Sequence, residues 1–161
     1  MHQLIHEPHP LASLDRHTII LAVTQYFAEH YQESILIPQI SRQLGIPLVH
    51  IEIAFDSYKG KTASQSLLEY RLNRLCDQMI KEPTSEIIKL ITNCGLGSFD
   101  PTNTMFIHKF GVDLVEFHQQ CFIAAATRLR WNQERGGDQH KEELIGEHKP
   151  NRLLTRFHQT P

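Results

Sequence analysis

Eleven histidines and three cysteines are the residues of this chain most able to do chemistry. His2, His6 and His9 fall in the polar opening MHQLIHEPHP, and Cys76, Cys94 and Cys121 lie far apart with no C-x-x-C step. No H-E-x-x-H run and no paired Cys/His spacing of a tetrahedral zinc site occurs, so no metal and no cofactor is expected. An odd, widely spaced cysteine set is no disulfide framework and suits a reducing compartment, which leads to the expectation of a cytoplasmic protein. There is no G-x-S-x-G and no P-loop. Gly95-Leu96-Gly97 lacks the third glycine and the preceding strand of a dinucleotide loop, and reads as a helix stop. Cys94 sits on an apolar helical stripe and reads as core. No catalytic constellation emerges, and an enzyme is not expected.

Length and composition point the same way. The chain has 161 residues, 40% of them apolar and 21% charged, enough for one folded domain with a core. Lys and Arg number 16 against 18 Asp and Glu, a formal charge of -2, which excludes a whole-protein polybasic attraction to nucleic acid or membrane. No basic start precedes an apolar run, and the longest apolar stretch, Cys121 to Ala126, is too short for a bilayer. Neither a secretory signal nor a membrane partner is expected.

The elements that would position any site are helices. Residues 1–13 read as a loose arm broken by Pro8 and Pro10. Leu14, Ile19, Val23, Phe27 and Tyr31 return to one side, which predicts a helix from Leu14 to Tyr31 with Ser13 as N-cap. Ile37 to Gly45 predicts a short helix opened by Pro38 and closed by Gly45. After Pro47 a further helix runs to Tyr58, with Gly60 stopping it. A long helix from Ala63 to Lys81 carries Leu67, Leu68, Arg71, Leu72, Leu75 and Met79 on its buried stripe. Arg71 on that stripe is expected to pair with an acid or a helix-end carbonyl inside the fold. Ser85 to Gly95, Pro101 to Phe110 and Val112 to Trp131 complete seven helices, and residues 132–161 read as a disordered tail. Asp100 as N-cap with Pro101 at the first helical position sets the expected start of the sixth.

The pattern contains a repeat. Gly45, Phe55 and Gly60 correspond to Gly95, Phe106 and Gly111, over fifteen and sixteen steps. Each unit is a helix, a short glycine-bearing turn and a second helix, the helix-turn-helix signature. Two such units on one rod predict an all-α fold of two helix-turn-helix subdomains joined by a long linking helix, spanning residues 14–131.

With these residues in place, the chain resembles the DNA-binding domain of the AraC/XylS transcription regulators from about Leu14 to His118. The first unit offers Gly45, Ile51, Phe55 and Gly60. The linking helix offers Leu67 with Leu68 and Arg71 with Leu72. The second unit offers Ile87, Leu90, Ile91, Gly95, Leu96, Phe106, Gly111, Asp113-Leu114 and Phe117-His118. Of the family's forms the chain resembles the stand-alone type, so no separate effector-binding domain is expected.

The resemblance implies a sequence-specific regulator that binds double-stranded DNA as a monomer, with recognition helices at about 47–58 and 101–110. RNA polymerase or another protein is a candidate second partner. Carried over residue by residue, the base-facing positions are Val49, Glu52 and Ile53 in the first unit, and Phe99, Asp100, Asn103 and Thr104 in the second. Phosphate contacts fall to Arg42, Lys59, Lys61 and Lys109. Residues 36–120 hold 8 basic and 9 acidic side chains, and no base-facing position is Lys or Arg. That balance motivates the alternative, an AraC-like fold that has lost DNA binding and acts as a protein-interaction module through Leu48, Val49 and Ile53.

Overall fold

The first helix begins where an acid can satisfy its free N–H groups. Asp15 Oδ1 accepts from the His17 N–H at 2.8 Å and opens α1 (Arg16–His30). The computed structural model describes residues 15–136, the last three as backbone only. The expected start at Leu14 and cap at Ser13 lie outside the described residues; among those described, Asp15 is the cap. α2 (Ile37–Leu44) follows, with Pro38 in its first turn and Gln39 Oε1 accepting from the Leu36 N–H at 2.9 Å. α3 (Leu48–Lys59), α4 (Ala63–Lys81), α5 (Ile87–Asn93), α6 (Phe99–Phe110) and α7 (Leu114–Gly136) complete the element order, and no strand occurs among the described residues.

The long helix lies where the periodicity predicts it. Its start is a reciprocal capping box, in which Thr62 Oγ1 accepts from the Gln65 N–H at 3.1 Å and Gln65 Oε1 accepts from the Thr62 N–H at 2.9 Å. Several boundaries differ from expectation. α5 starts at Ile87 rather than Ser85, because the Ser85 N–H is taken by the Glu82 carbonyl in a turn and Glu86 is extended. α6 starts at Phe99, two residues before Pro101, with Ser98 as N-cap. Asp100 and Pro101 therefore sit inside the first turn, where a missing proline N–H leaves no bond unmade. The Thr102 hydroxyl, fully buried, donates to the Ser98 carbonyl at 2.8 Å and secures that start. α7 starts at Leu114 rather than Val112, because Asp113 Oδ1 accepts from the N–H groups of Val115 (2.8 Å) and Glu116 (3.4 Å), and it runs beyond Trp131 to Gly136.

The four glycines of the sequence repeat, Gly45, Gly60, Gly95 and Gly111, all have positive φ, between 61° and 73°. Each ends a helix, so the repeat seen in the sequence is a repeat of backbone conformation.

Two apolar clusters share α4 between them. Ile19, Val23 and Phe27 of α1, Ile40 of α2, Ile51 and Phe55 of α3 and Leu67 of α4 form the first. Leu72, Leu75 and Met79 of α4, Leu90 and Ile91 of α5, Phe106 of α6 and Leu114 of α7 form the second. The N-terminal part of α4 thus belongs to one helix-turn-helix unit and its C-terminal part to the other. Each large side chain removed from water here contributes about 1.5–3 kcal/mol. The described residues from Ala126 continue α7 as helix to Gly136 and belong to a separate unit. Among the described residues, no helix is long and apolar enough to cross a membrane.

One joint ties the two helix-turn-helix units at the end of α1. The Arg71 guanidinium reaches it from α4, its Nε donating to the Tyr31 carbonyl at 2.8 Å and its Nη2 to the Glu33 carbonyl at 2.6 Å. The guanidinium therefore meets the helix-end carbonyl of Tyr31, where the helix dipole favours a cation, and the Glu33 carbonyl in the loop that follows. The Tyr31 ring packs against the second cluster, edge-on to Tyr70 and beneath the Arg74 guanidinium, 5.7 Å from the ring centre. Gly95, in the turn of the second unit, packs on the same joint: a β-carbon there would lie 2.3 Å from the Tyr31 carbonyl oxygen.

Candidate nucleic-acid interface

The helix after each glycine turn buries one side and presents the other. α3 buries Ile51, Ala54 and Phe55 completely. Off that stripe, Val49 (58% exposed) and Ile53 (44% exposed) face solvent, with Leu48 beside them and Glu52 half-buried between them. The spacing of 49, 52 and 53 places these side chains on one face of the helix. His50 is also exposed on this helix.

α6 is used differently. Asp100 and Thr104 are exposed, and the Thr104 hydroxyl donates back to the Asp100 carbonyl at 3.0 Å. Phe99 is half-buried against the second core. Asn103 is engaged at both ends of its amide: Nδ2 donates to Asp113 Oδ2 at 2.8 Å, and Oδ1 accepts from the Leu114 N–H at 2.9 Å. That side chain joins α6 to the start of α7. The same bond, with the N–H groups at the start of α7, holds the Asp113 carboxyl below its ordinary range.

The four candidate phosphate cations divide into two pairs. Arg42 and Lys59 are exposed, Arg42 with its Nε donating to the Pro38 carbonyl at 3.3 Å. Lys61 and Lys109 both meet Glu69 of α4. Lys61 Nζ lies 2.8 and 2.7 Å from its two carboxylate oxygens, and Lys109 Nζ lies 3.9 Å from Oε2. Sequence reading assigned the two lysines but not this acid, which is separated from Lys61 by a turn and from Lys109 by half the second unit. A cation and an acid eight residues apart carry no periodic signal across a helix start.

The cysteines belong to the core of the second unit. Cys94 is fully buried, and Cys76 and Cys121 pack at the edge of the same cluster. Burial pushes the Cys76 thiol up to about 12, helped by the nearby Asp77 charge, and the Cys94 thiol up to about 11. A thiol held protonated is a poor nucleophile. Iodoacetamide near neutral pH is expected to leave Cys94 unmodified in the native protein and to label it once the chain is unfolded in guanidinium. Mass spectrometry reads the difference, and fast native labelling of Cys94 would contradict this placement.

No protein-family model and no curated protein matches the chain. Solved structures do match it. A transcriptional regulator described among AraC-type DNA-binding domain-containing proteins, from Chromobacterium violaceum, superposes with a TM-score of 0.61 at 20% identity, covering 65% of this chain and 93% of that one. A protein of unknown function from Listeria innocua gives 0.57 at 18%, covering 63% and 95%. A probable AraC family transcriptional regulator from Rhodopseudomonas palustris gives 0.57 at 17%, covering 64% and 96%. The matched share of this chain is about the length of its two helix-turn-helix units with the linking helix. With seven helices among the described residues, paired glycine turns and a shared central rod, the chain has the all-α fold of AraC-type DNA-binding domains, in a divergent form.

Proposed function

We propose that this chain is a DNA-binding regulator of transcription that lays α3 and α6 on double-stranded DNA, acting as a monomer in the cytoplasm. The observation that supports it is the paired construction: two glycine-turn helix pairs built on one rod, each with an outward face on its second helix. In this reading Val49 and Ile53 meet thymine methyl groups and Glu52 accepts from a cytosine amino group. Asp100 and Thr104 are the exposed base-facing positions of α6, while Phe99 and Asn103 hold that helix in place. Arg42 and Lys59 contact backbone phosphates.

The test is binding to mixed-sequence duplex fragments over a series of salt concentrations. Affinity is expected to fall as salt rises, with a logarithmic slope of about -0.9 per phosphate contacted. Arg42→Gln and Lys59→Gln are each expected to flatten that slope by about 1. Glu52→Arg, which places the commonest guanine-reading side chain on α3, is expected to raise affinity. Absence of binding at low salt, or a slope of zero, rejects the proposal.

A second reading has its own support in the exposed apolar face of Leu48, Val49 and Ile53, which lacks any Lys or Arg on α3 before Lys59. In it the first unit docks a protein rather than a duplex. Val49→Asp, with the helical circular dichroism unchanged, would then abolish partner capture and leave DNA affinity at its background value.

A further inference from the structure

Lys61 stands two residues after the end of α3, Lys109 in the last turn of α6, and Glu69 on the rod between them. The cation trailing each candidate recognition helix is thus brought to a single carboxylate oxygen, at 2.7 Å from Lys61 and 3.9 Å from Lys109. The two ammonium groups consequently lie no farther apart than those two distances together. Lys109 is further fixed by the Phe110 ring, whose centre is 5.4 Å from its Nζ. Two cations against one acid leave a net positive charge at this spot. The Lys61 and Lys109 side chains are 32% and 24% exposed, so an incoming anion can reach both ammonium groups beside Glu69.

We propose that Lys61, Glu69 and Lys109 form one phosphate site of the nucleic-acid surface, closed in the free protein by its own carboxylate. Glu69 stands where a backbone phosphate stands in the complex, and binding exchanges one anion for the other. These ion pairs are half-buried and still open to water on one side, so salt screens them in part and a phosphate can compete with the acid for the two lysines. The consequence is a damped affinity for duplexes in general: half of the four candidate phosphate cations are occupied until a duplex displaces Glu69. The inference rests on the DNA reading above, and its test separates the two.

Glu69→Gln removes the charge and keeps the size. Glu29→Gln, on the exposed side of α1, removes the same charge away from the lysines. Two readouts are taken: the salt at which each protein leaves a heparin column, and binding to random-sequence duplex over a salt series. Glu69→Gln is expected to leave heparin later than both the parent and Glu29→Gln, and to bind duplex roughly tenfold more tightly at low salt. Adding Lys61→Gln and Lys109→Gln to it is expected to reverse both gains and flatten the salt slope by about 2. If Glu69→Gln behaves like Glu29→Gln, or the lysine pair leaves the slope unchanged, the site is overturned. A gain on heparin with no duplex binding by any variant upholds the anion site and rejects the DNA reading. Should Glu69→Gln fail to fold, the two lysine substitutions on the parent chain decide: a flatter slope supports the site and an unchanged slope overturns it.

Discussion

Gly95→Ala is expected to lower stability by at least about 3 kcal/mol, whereas Gly60→Ala and Gly111→Ala each cost only about 1–2 kcal/mol. All three glycines have φ in the left-handed region, where any residue with a β-carbon pays a conformational penalty. Only Gly95 adds a collision. Its new methyl group would sit 2.3 Å from the Tyr31 carbonyl oxygen and 3.1 Å from backbone atoms of Gln32, while nothing lies within 4 Å of the corresponding positions at Gly60 and Gly111. The colliding atoms are backbone at the end of α1, so no side chain can swing aside. Relief requires moving the turn of the second unit away from the first, or losing the Arg71 bond that holds the same carbonyl. Urea titrations read the result: the Gly95→Ala midpoint should fall well below that of Gly60→Ala at similar slope. Below its unfolding midpoint Gly95→Ala should also bind duplex more weakly than Gly60→Ala, because the spacing of the two units is disturbed. Equal midpoints for the two variants would show that Gly95 is an ordinary helix stop.

Which features could be read in advance follows from the range of the physics behind them. The limits of α4 were legible because Gly60 and Pro83 bracket it and its apolar stripe keeps helical spacing from Leu67 to Met79. The glycine repeat was legible for the same reason, since a left-handed residue ending a helix is a local requirement. The start of α6 was not. Asp100-Pro101 is a good cap pair in isolation, but the Thr102 hydroxyl anchors the Ser98 carbonyl and carries the helix two residues further back. The likeness to a known family located the candidate base-facing residues. It did not show that the Asn103 amide is committed to Asp113 and Leu114, which come beside it only once α6 and α7 fold together. Glu69 escaped for a similar reason: its partners come from two different units. Among the candidate residues, those on α3 remain outward-facing, and the outcome on α6 depends on contacts that no spacing encodes.

Arg71 carries the other large effect. Arg71→Leu keeps the apolar stem on the α4 stripe but removes both donors, leaving the Tyr31 and Glu33 carbonyls without the guanidinium. Hydrogen bonds from a charged donor each contribute about 1.5–3 kcal/mol, and part of this site is open to water, so a loss of about 3 kcal/mol is expected for the pair. Arg71→Lys should recover less than half, because an ammonium group has no planar fork to reach two carbonyls at once. The guanidinium stays charged even though burial lowers its pKa, so across the accessible pH range this contribution does not vary through Arg71. The decisive measurement is the double variant. Gly95 packs against the same carbonyl oxygen to which Arg71 donates, so removing one weakens what the other can still lose. The stability cost of Arg71→Leu with Gly95→Ala should fall short of the sum of the single costs by about 1 kcal/mol or more. Strict additivity would mean that the two residues stabilise their own helix ends independently, and that the spacing of the two helix-turn-helix units is fixed elsewhere along α4.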